Sequence, residues 1–302
     1  MQTYSCRDCG RRFRNQRREK VTLQKFLWKE YVFAKQTIRE LKKKHDQDRR
    51  VIKQYLENYQ APPKSHFPRK VNLVADALYF GERKENRSWC LVALRCPKQK
   101  ENLWWACGET ETTSIYLAGR RHLESLGYQI MSVTGDGFAG LRQAFSDLPF
   151  QMCQVHMERI IVEGTTRKPE LEAGKALLAL GKILHYTVGP TFRDYVQKYL
   201  NKYRDFLNEK TINPLTGETF FTHAPLRGAA LSLVRFLPYL FTFEQHRDIS
   251  RTTNSLEGHF SHIRDVVKIH RGLSRKHKEK VLNSIMLAST IAPTEAKFKH
   301  IL

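Results

Sequence analysis

Three acidic residues occupy positions where a carboxylate could do chemistry: Asp76, Asp136 and Glu257. Asp136 closes a mostly apolar run, Ile130-Met-Ser-Val-Thr, inside Gly135-Asp136-Gly137, and a helical pattern opens at Gly140-Leu141-Arg142. An acid at the tip of a buried strand is costly unless something positive meets it, and a divalent cation is the usual partner. A lone Gly-Asp-Gly reads equally well as a turn whose Asp accepts from backbone amides. Asp76 follows Val71-Asn72-Leu73-Val74-Ala75, a strand pattern with an acid near its centre. Glu257 lies in Arg251-Thr-Thr-Asn-Ser-Leu-Glu-Gly-His-Phe260, the start of a helix. There Leu256, Phe260, Ile263 and Val267 face a core, and Asn254, Glu257 and Ser261 share a neighbouring face. Such a Glu is ordinarily solvent-exposed; at the rim of a sheet it can be a third metal carboxylate.

Two cysteine motifs add to the list. Cys153-x-x-His156 offers two soft donors, half a metal site and a poor one for magnesium. A buried thiol beside a hydrogen-bonded His accounts for the pair as well. Cys6-x-x-Cys9-Gly10 is one zinc knuckle, but a structural zinc takes four ligands and no second Cys pair exists. Zinc is therefore an unfavoured expectation at Cys6 and Cys9, against a basic arm that touches phosphates.

The elements that would position these residues can be read in order. After the Val71–Tyr79 strand, a polar turn (Glu82 to Arg87) leads to Trp89-Cys-Leu-Val-Ala-Leu94, and another (Pro97 to Glu101) leads to Leu103-Trp-Trp-Ala106. Three strands with short turns predict an antiparallel meander. A helix (Ser114 to Leu126), the Ile130–Thr134 strand, a helix (Gly140 to Phe145) and a strand around Phe150 to Val155 follow. That is the order of a ribonuclease H-like fold, in which the first and fourth strands lie side by side and would bring Asp76 and Asp136 together. Residues 160 to 249 read as an all-helical insertion, with apolar faces such as Leu177, Leu180 and Leu184.

At 302 residues, with 41% hydrophobic and 27% charged residues, the chain can bury a large core, and no apolar run is long enough to span a bilayer. No leader peptide is expected, because the first residues are polar and basic. The net charge is +22, and the first 70 residues hold 20 Lys+Arg against 7 Asp+Glu, a local excess of +13. A block this basic points to nucleic acid rather than to a membrane. Within it, Thr37-Ile38-Arg39-Glu40 is a capping box, a short helix runs to Lys44, and a polar turn leads to a helix with Val51, Ile52, Tyr55 and Leu56. Helix, short turn, helix is a helix-turn-helix pattern, and Arg39, Arg49, Arg50 and Lys53 are its candidate DNA contacts. Pro62-Pro63 and Pro68 mark a linker. Six scattered cysteines indicate a reducing cytoplasm.

Together, Asp76, Gly135-Asp136-Gly137 with Gly140-Leu141, Cys153-x-x-His156 followed by Arg159, and Thr253-Asn254-Ser255-Leu256-Glu257-Gly258 resemble the DDE transposases of the Mutator type. The resemblance spans about residues 70 to 270. It implies an α/β (α+β) fold: a ribonuclease H-like mixed sheet with an all-α insertion, preceded by a helix-turn-helix-like region. The implied domains are a partial zinc ribbon or basic arm (1–19), the helix-turn-helix-like region (20–60), a linker (61–69), the catalytic domain (70–159 and 250–285), the insertion (160–249) and a basic tail (286–302). Asp76, Asp136 and Glu257 would be the catalytic triad, and Cys153, His156, Asn254 and Arg159 would support it.

The chemistry this implies is cleavage of DNA at the ends of a mobile element and joining of those ends to target DNA. The three acids would hold two magnesium ions about 3.5–4 Å apart. Terminal inverted repeats and target DNA would be the partners, the enzyme would act as a homo-oligomer on paired ends, and it would reside at the nucleoid of a prokaryotic cytoplasm. Two rivals stand beside it. One is a catalytically silent, transposase-derived DNA-binding protein; the other is a ribonuclease H-like nuclease that only hydrolyses.

Overall fold

A computed structural model describes residues 3–5, 7–14, 16–81, 88–246, 248–270 and 272–288. The chain divides into two compact units. One comprises residues 67–99 and 103–257, and the other comprises the chain up to residue 66, residues 100–102 and the chain from residue 258 on.

The first unit is built on a mixed sheet of five strands. They are β3 (Lys70–Phe80), β4 (Trp89–Cys96), β5 (Glu101–Gly108), β6 (Gln129–Gly135) and β7 (Phe150–Met152), in the order β5-β4-β3-β6-β7. β3 runs antiparallel to β4, with Asp76 opposite Ala93, and parallel to β6, with Val74 opposite Thr134. β4 is buried along its whole length, which explains an apolar run without alternation: it packs on both faces. Alternation does appear in β3, where Val71, Leu73 and Ala75 enter the main core and Asp76 lies on the opposite face with Val74 and Leu78.

Helix α4 (Thr113–Ser125) packs on the sheet through Gly119, where a Cβ would lie 2.6 Å from the Trp104 ring. A short α5 (Ala139–Ala144) follows β6. Beyond β7 come α6 (Gln154–Thr165), α7 (Glu172–Ile183), α8 (Gly189–Asn208), α9 (Ala224–Phe236) and α10 (Thr242–Gln245). Their apolar faces, including Ile161, Leu177, Phe192 and Leu233, join the same core as the sheet.

Two expectations are corrected in this region. The strand around Phe150 to Val155 stops at Met152, and Cys153 caps α6. The 160–249 segment is not all-helical: β8 (Lys210–Ile212) and β9 (Thr219–Phe221) form an antiparallel hairpin. Its tip is the Asn213–Gly217 loop, closed by Gly217 N–H to Asn213 O (2.8 Å) with Gly217 at φ 73°. The ribbon is largely solvent-exposed, so it carries no apolar alternation to betray it.

The second unit contains a short hairpin, β1 (Thr3–Ser5) and β2 (Arg12–Arg14), the helices α1 (Gln16–Val32), α2 (Ile38–His45) and α3 (Arg49–Asn58), and α12 (Arg275–Ala288). The capping box is formed: Thr37 N–H donates to Glu40 Oε2 (2.7 Å), and Glu40 N–H to Thr37 Oγ1 (3.3 Å). Asp48 caps α3 by accepting from Arg50 N–H at 2.7 Å. Trp28 anchors the unit, stacked on Tyr59 (4.8 Å between centroids) and donating from Nε1 to Ser284 Oγ (2.9 Å). The expected boundary therefore differs: residues 258–285 cluster with the N-terminal helices rather than with the sheet. The division falls within α11 (Asn254–Ile269), after Glu257. Among the described residues no helix is long and apolar enough to cross a membrane.

Candidate functional site

Asp76 and Asp136 sit on the two neighbouring strands at the centre of the sheet, Asp76 within β3 and Asp136 just past the end of β6. Asp76 is half-buried and its Oδ1 accepts from Ala77 N–H at 2.8 Å. Burial pushes its carboxyl up to about 7, against the pull of His156 and the Ala77 amide; Asp136 and Glu257 push it further. Asp136 Oδ1 accepts from Phe138 N–H at 2.9 Å, so the turn role read from Gly-Asp-Gly is real. Gly137 has φ 89°, and a Cβ there would lie 2.7 Å from the Phe236 ring, which requires glycine on both counts. The turn role and the proximity to Asp76 coexist.

Glu257 stands on the first turn of α11 and is fixed from two sides. Its Oε1 accepts from Thr253 Oγ1 (3.2 Å) and lies 3.6 Å from His156 Nδ1, while Oε2 accepts from Arg159 at 3.2 Å. Cys153 ties the two helix starts together. Its Sγ accepts from Thr253 N–H (3.3 Å), its own N–H donates to Gly135 O (2.7 Å), and Gln154 N–H donates to Arg251 O (3.1 Å). Thr134 Oγ1 adds a bond to Ser250 O at 2.8 Å. Burial by itself would lower the His156 imidazole; Cys153, Asp76 and Glu257 outweigh it and hold it at about 9. Burial likewise opposes ionisation of Cys153, yet His156 and Thr253 bring the thiol below its ordinary value. His156 is thus a cation at neutral pH.

Among the described residues the tightest group of potential metal ligands is Cys153, His156 and Glu257, whose donor atoms all lie within 4.8 Å of one another. Asp136 and Glu257 both act on the Asp76 carboxyl, but the three form no single group of that tightness. Asn254 stands apart: its side chain is exposed, and its N–H donates to Thr252 Oγ1 at 3.4 Å. Thr253 holds the supporting position instead. Its signal in the sequence was the Thr253-x-x-x-Glu257 spacing, one helical turn.

Glu111, just before the cap of α4, was also passed over. It accepts from Tyr116 Oη (2.6 Å) and Tyr79 Oη (3.3 Å), and burial, with Asp136 adding to it, raises its pKa. Nothing in the spacing of Glu109-Thr110-Glu111 distinguishes it from a surface acid.

In the helical unit, Arg39, Lys42, Arg49 and Lys53 line a cavity of about 870 Å³ floored by Trp28 and Tyr31. None of the four makes an ion pair with a described residue. Arg50 does not line it. Cys9 is exposed and joins no ligand group among the described residues, while Cys6 lies outside them.

No family model matches the chain, and no curated protein does. Among solved structures, a cryo-EM structure of a simian T-cell lymphotropic virus intasome in complex with PP2A regulatory subunit B56 gamma is similar at 14% identity. It covers 67% of this chain and 74% of that one, with a TM-score of 0.21. At that level neither fold nor activity is transferred. What stands is the class given by the coordinates: a mixed α/β protein with a five-stranded sheet and a cluster of carboxylates at its central strands.

Proposed function

We propose that this chain is a metal-dependent DDE transposase of the Mutator type, with a ribonuclease H-like sheet, that cuts DNA at element ends and joins them to target DNA. The observation that carries the reading is the adjacency of Asp76 and Asp136 on the parallel β3–β6 pair, with Glu257 held beside them by Arg159 and Thr253. The strand order β5-β4-β3-β6-β7 supports the fold assignment.

Magnesium fits the donors. Asp76 and Asp136 each spend one oxygen on a backbone N–H, and the second oxygen of each has no partner among the described residues. A buried carboxyl pushed up to about 7, as that of Asp76 is, stays ionised at neutral pH when a cation compensates it.

Asp76, Asp136 and Glu257 would hold the magnesium, which when bound supplies Lewis acidity to the phosphate and its attacking hydroxyl. Water attacks the phosphorus and the P–O3′ bond breaks, leaving a 5′-phosphate and a 3′-hydroxyl that takes up water's proton. That 3′-hydroxyl then attacks a target phosphodiester, a new P–O3′ bond forms, and the target's own O3′ leaves with the proton. Arg159 and protonated His156 place positive charge beside Glu257 and fix its angle. Cys153 is no nucleophile: it is fully buried and its Sγ accepts from Thr253 N–H. No covalent protein–DNA intermediate follows. The unpaired cations of the helical unit are matched to DNA phosphates, and action on paired ends implies a homo-oligomer working at the nucleoid.

The test is a magnesium-dependent nicking and joining assay on the DNA flanking the gene. Alanine at Asp76, Asp136 or Glu257 is expected to abolish cleavage and leave DNA binding intact. Cleavage by all three variants would refute the proposal. Nicking with no joined product would favour a hydrolytic nuclease, and binding without nicking would favour a silent DNA-binding protein.

A further inference from the structure

Cys153, His156 and Glu257 are a poor donor set for magnesium and a good one for zinc. Thiolate and imidazole are ligands that select borderline and soft cations, whereas magnesium takes oxygen. A tetrahedral zinc with bonds of about 2.0–2.3 Å sets its donor atoms about 3.3–3.7 Å apart. Here His156 Nδ1 and Glu257 Oε1 are already 3.6 Å apart, and all three donors lie within 4.8 Å of one another. Closing the set around a cation takes side-chain shifts of about 1 Å, well within rotamer relaxation.

A second observation points the same way. The buried hydroxyl of Thr253 lies 3.3 Å from Cys153 Sγ, 3.3 Å from His156 Nδ1 and 3.2 Å from Glu257 Oε1. That hydroxyl, with one proton to give and two lone pairs, serves all three, so the donors already converge on one point; a cation there would take the place of the protons that His156 and Cys153 release on binding. Access exists: the Glu257 and His156 side chains retain 28% and 18% exposure, enough for entry from solvent and for a fourth ligand.

We propose that Cys153, His156 and Glu257 bind one zinc-class cation, and that its binding withdraws Glu257 from the magnesium set. The second clause rests on the transposase reading; the binding itself does not. The site would therefore act as a brake, with the same carboxylate serving a hard cation during catalysis and a softer one at rest.

The experiment uses the full chain carrying Cys6→Ser and Cys9→Ser, so that the N-terminal thiols cannot respond, without magnesium or DNA. Cobalt(II) is titrated as a spectroscopic stand-in and then displaced with zinc. The expected result is a thiolate-to-cobalt charge-transfer band that saturates at one equivalent, is lost in Cys153→Ser and is weakened at least tenfold in affinity in His156→Ala. Zinc should also protect Cys153 of this parent protein from alkylation, read by mass spectrometry, which needs no further variant. No band and no protection in the parent, or a band indifferent to both substitutions, overturns the site. In the nicking assay, zinc at a concentration that fills the site should lower the magnesium-dependent rate at least tenfold. An unchanged rate with the site filled overturns the brake. If the protein does not nick under any condition, the transposase reading falls, and the cobalt titration alone decides the zinc site.

Discussion

Asp76→Asn should make the metal-free protein more stable, not less. In the folded chain burial lifts the Asp76 carboxyl from 3.8 to about 7, a shift of about three units. Below pH 3.8 both folded and unfolded states are protonated, and the group is neutral to stability. Between 3.8 and about 7 the folded state binds more protons than the unfolded one, so stability falls as pH rises. Above about 7 the loss is complete, at about 1.4 kcal/mol per unit, or on the order of 4 kcal/mol. Asparagine keeps the shape and carries no charge. It gives up the attraction to His156 and gains an amide that must find partners, which together offset about a third of the gain.

A net rise of about 2–3 kcal/mol at pH 8 corresponds to about 5–10 °C in Tm for a unit of this size. The assay is thermal unfolding of both proteins in chelator at pH 8 and again near pH 4, where the difference should vanish. Millimolar magnesium should then raise the Tm of the native chain and move Asp76→Asn less, since a ligand stabilises the state that binds it. An Asp76→Asn protein that melts at or below the native chain at pH 8 would refute the account of Asp76 as an uncompensated buried acid. Equal magnesium shifts in the two proteins would refute its role as a ligand.

Other outcomes follow from the same structure. Replacing Arg49 and Lys53 together with alanine should weaken DNA binding uniformly across sequences and reduce the log–log salt slope by about 2, measured by fluorescence anisotropy at several salt concentrations. Gly119→Ala should cost about 1–3 kcal/mol in urea unfolding, because its Cβ meets the Trp104 ring at 2.6 Å. Lys64→Met should cost about 1–3 kcal/mol, since it removes the ammonium that pairs with fully buried Glu101 at 2.7 Å; a loss under about 0.5 kcal/mol would refute this pair as a stabilising contact.

The sequence made the framework of the sheet readable, because each of its strands is a short apolar run closed by a turn. The β3–β6 adjacency followed from strand order, and with it the pairing of Asp76 with Asp136. Phe150 to Val155 misled because six residues with apolar Phe150, Met152, Cys153 and Val155 are too few to tell strand from helix; the chain turns helical at Gln154, once β7 has paired with β6 only as far as Met152. Leu256, Phe260 and Ile263 are buried as their spacing predicts, but the fourth buried position is Val266 rather than Val267, which stays half-buried. Such a face does not name what covers it, so the assignment of residues 258–288 to the helical unit was not legible. Asn254 and Glu111 show the same limit at the site. Helical spacing put Asn254 beside Glu257 on a face, yet the supporting bond comes from Thr253, whose reach across to Cys153 depends on long-range packing. Glu111 acquires its place only when the Tyr79 and Tyr116 hydroxyls converge on it.

The bonds Cys153–Thr253 and Gln154–Arg251 join chain positions about a hundred residues apart, and nearly all of the intervening helices hang between them. Their closure makes the root of that excursion independent of its length. Doubling or halving the loop alters the entropy of closing it by only about 0.6 kcal/mol. Growth or loss at the solvent-exposed β8–β9 tip therefore leaves Glu257 and the aspartates in register, whereas the helices that share the sheet's core, and Phe236 against Gly137, are held to their places.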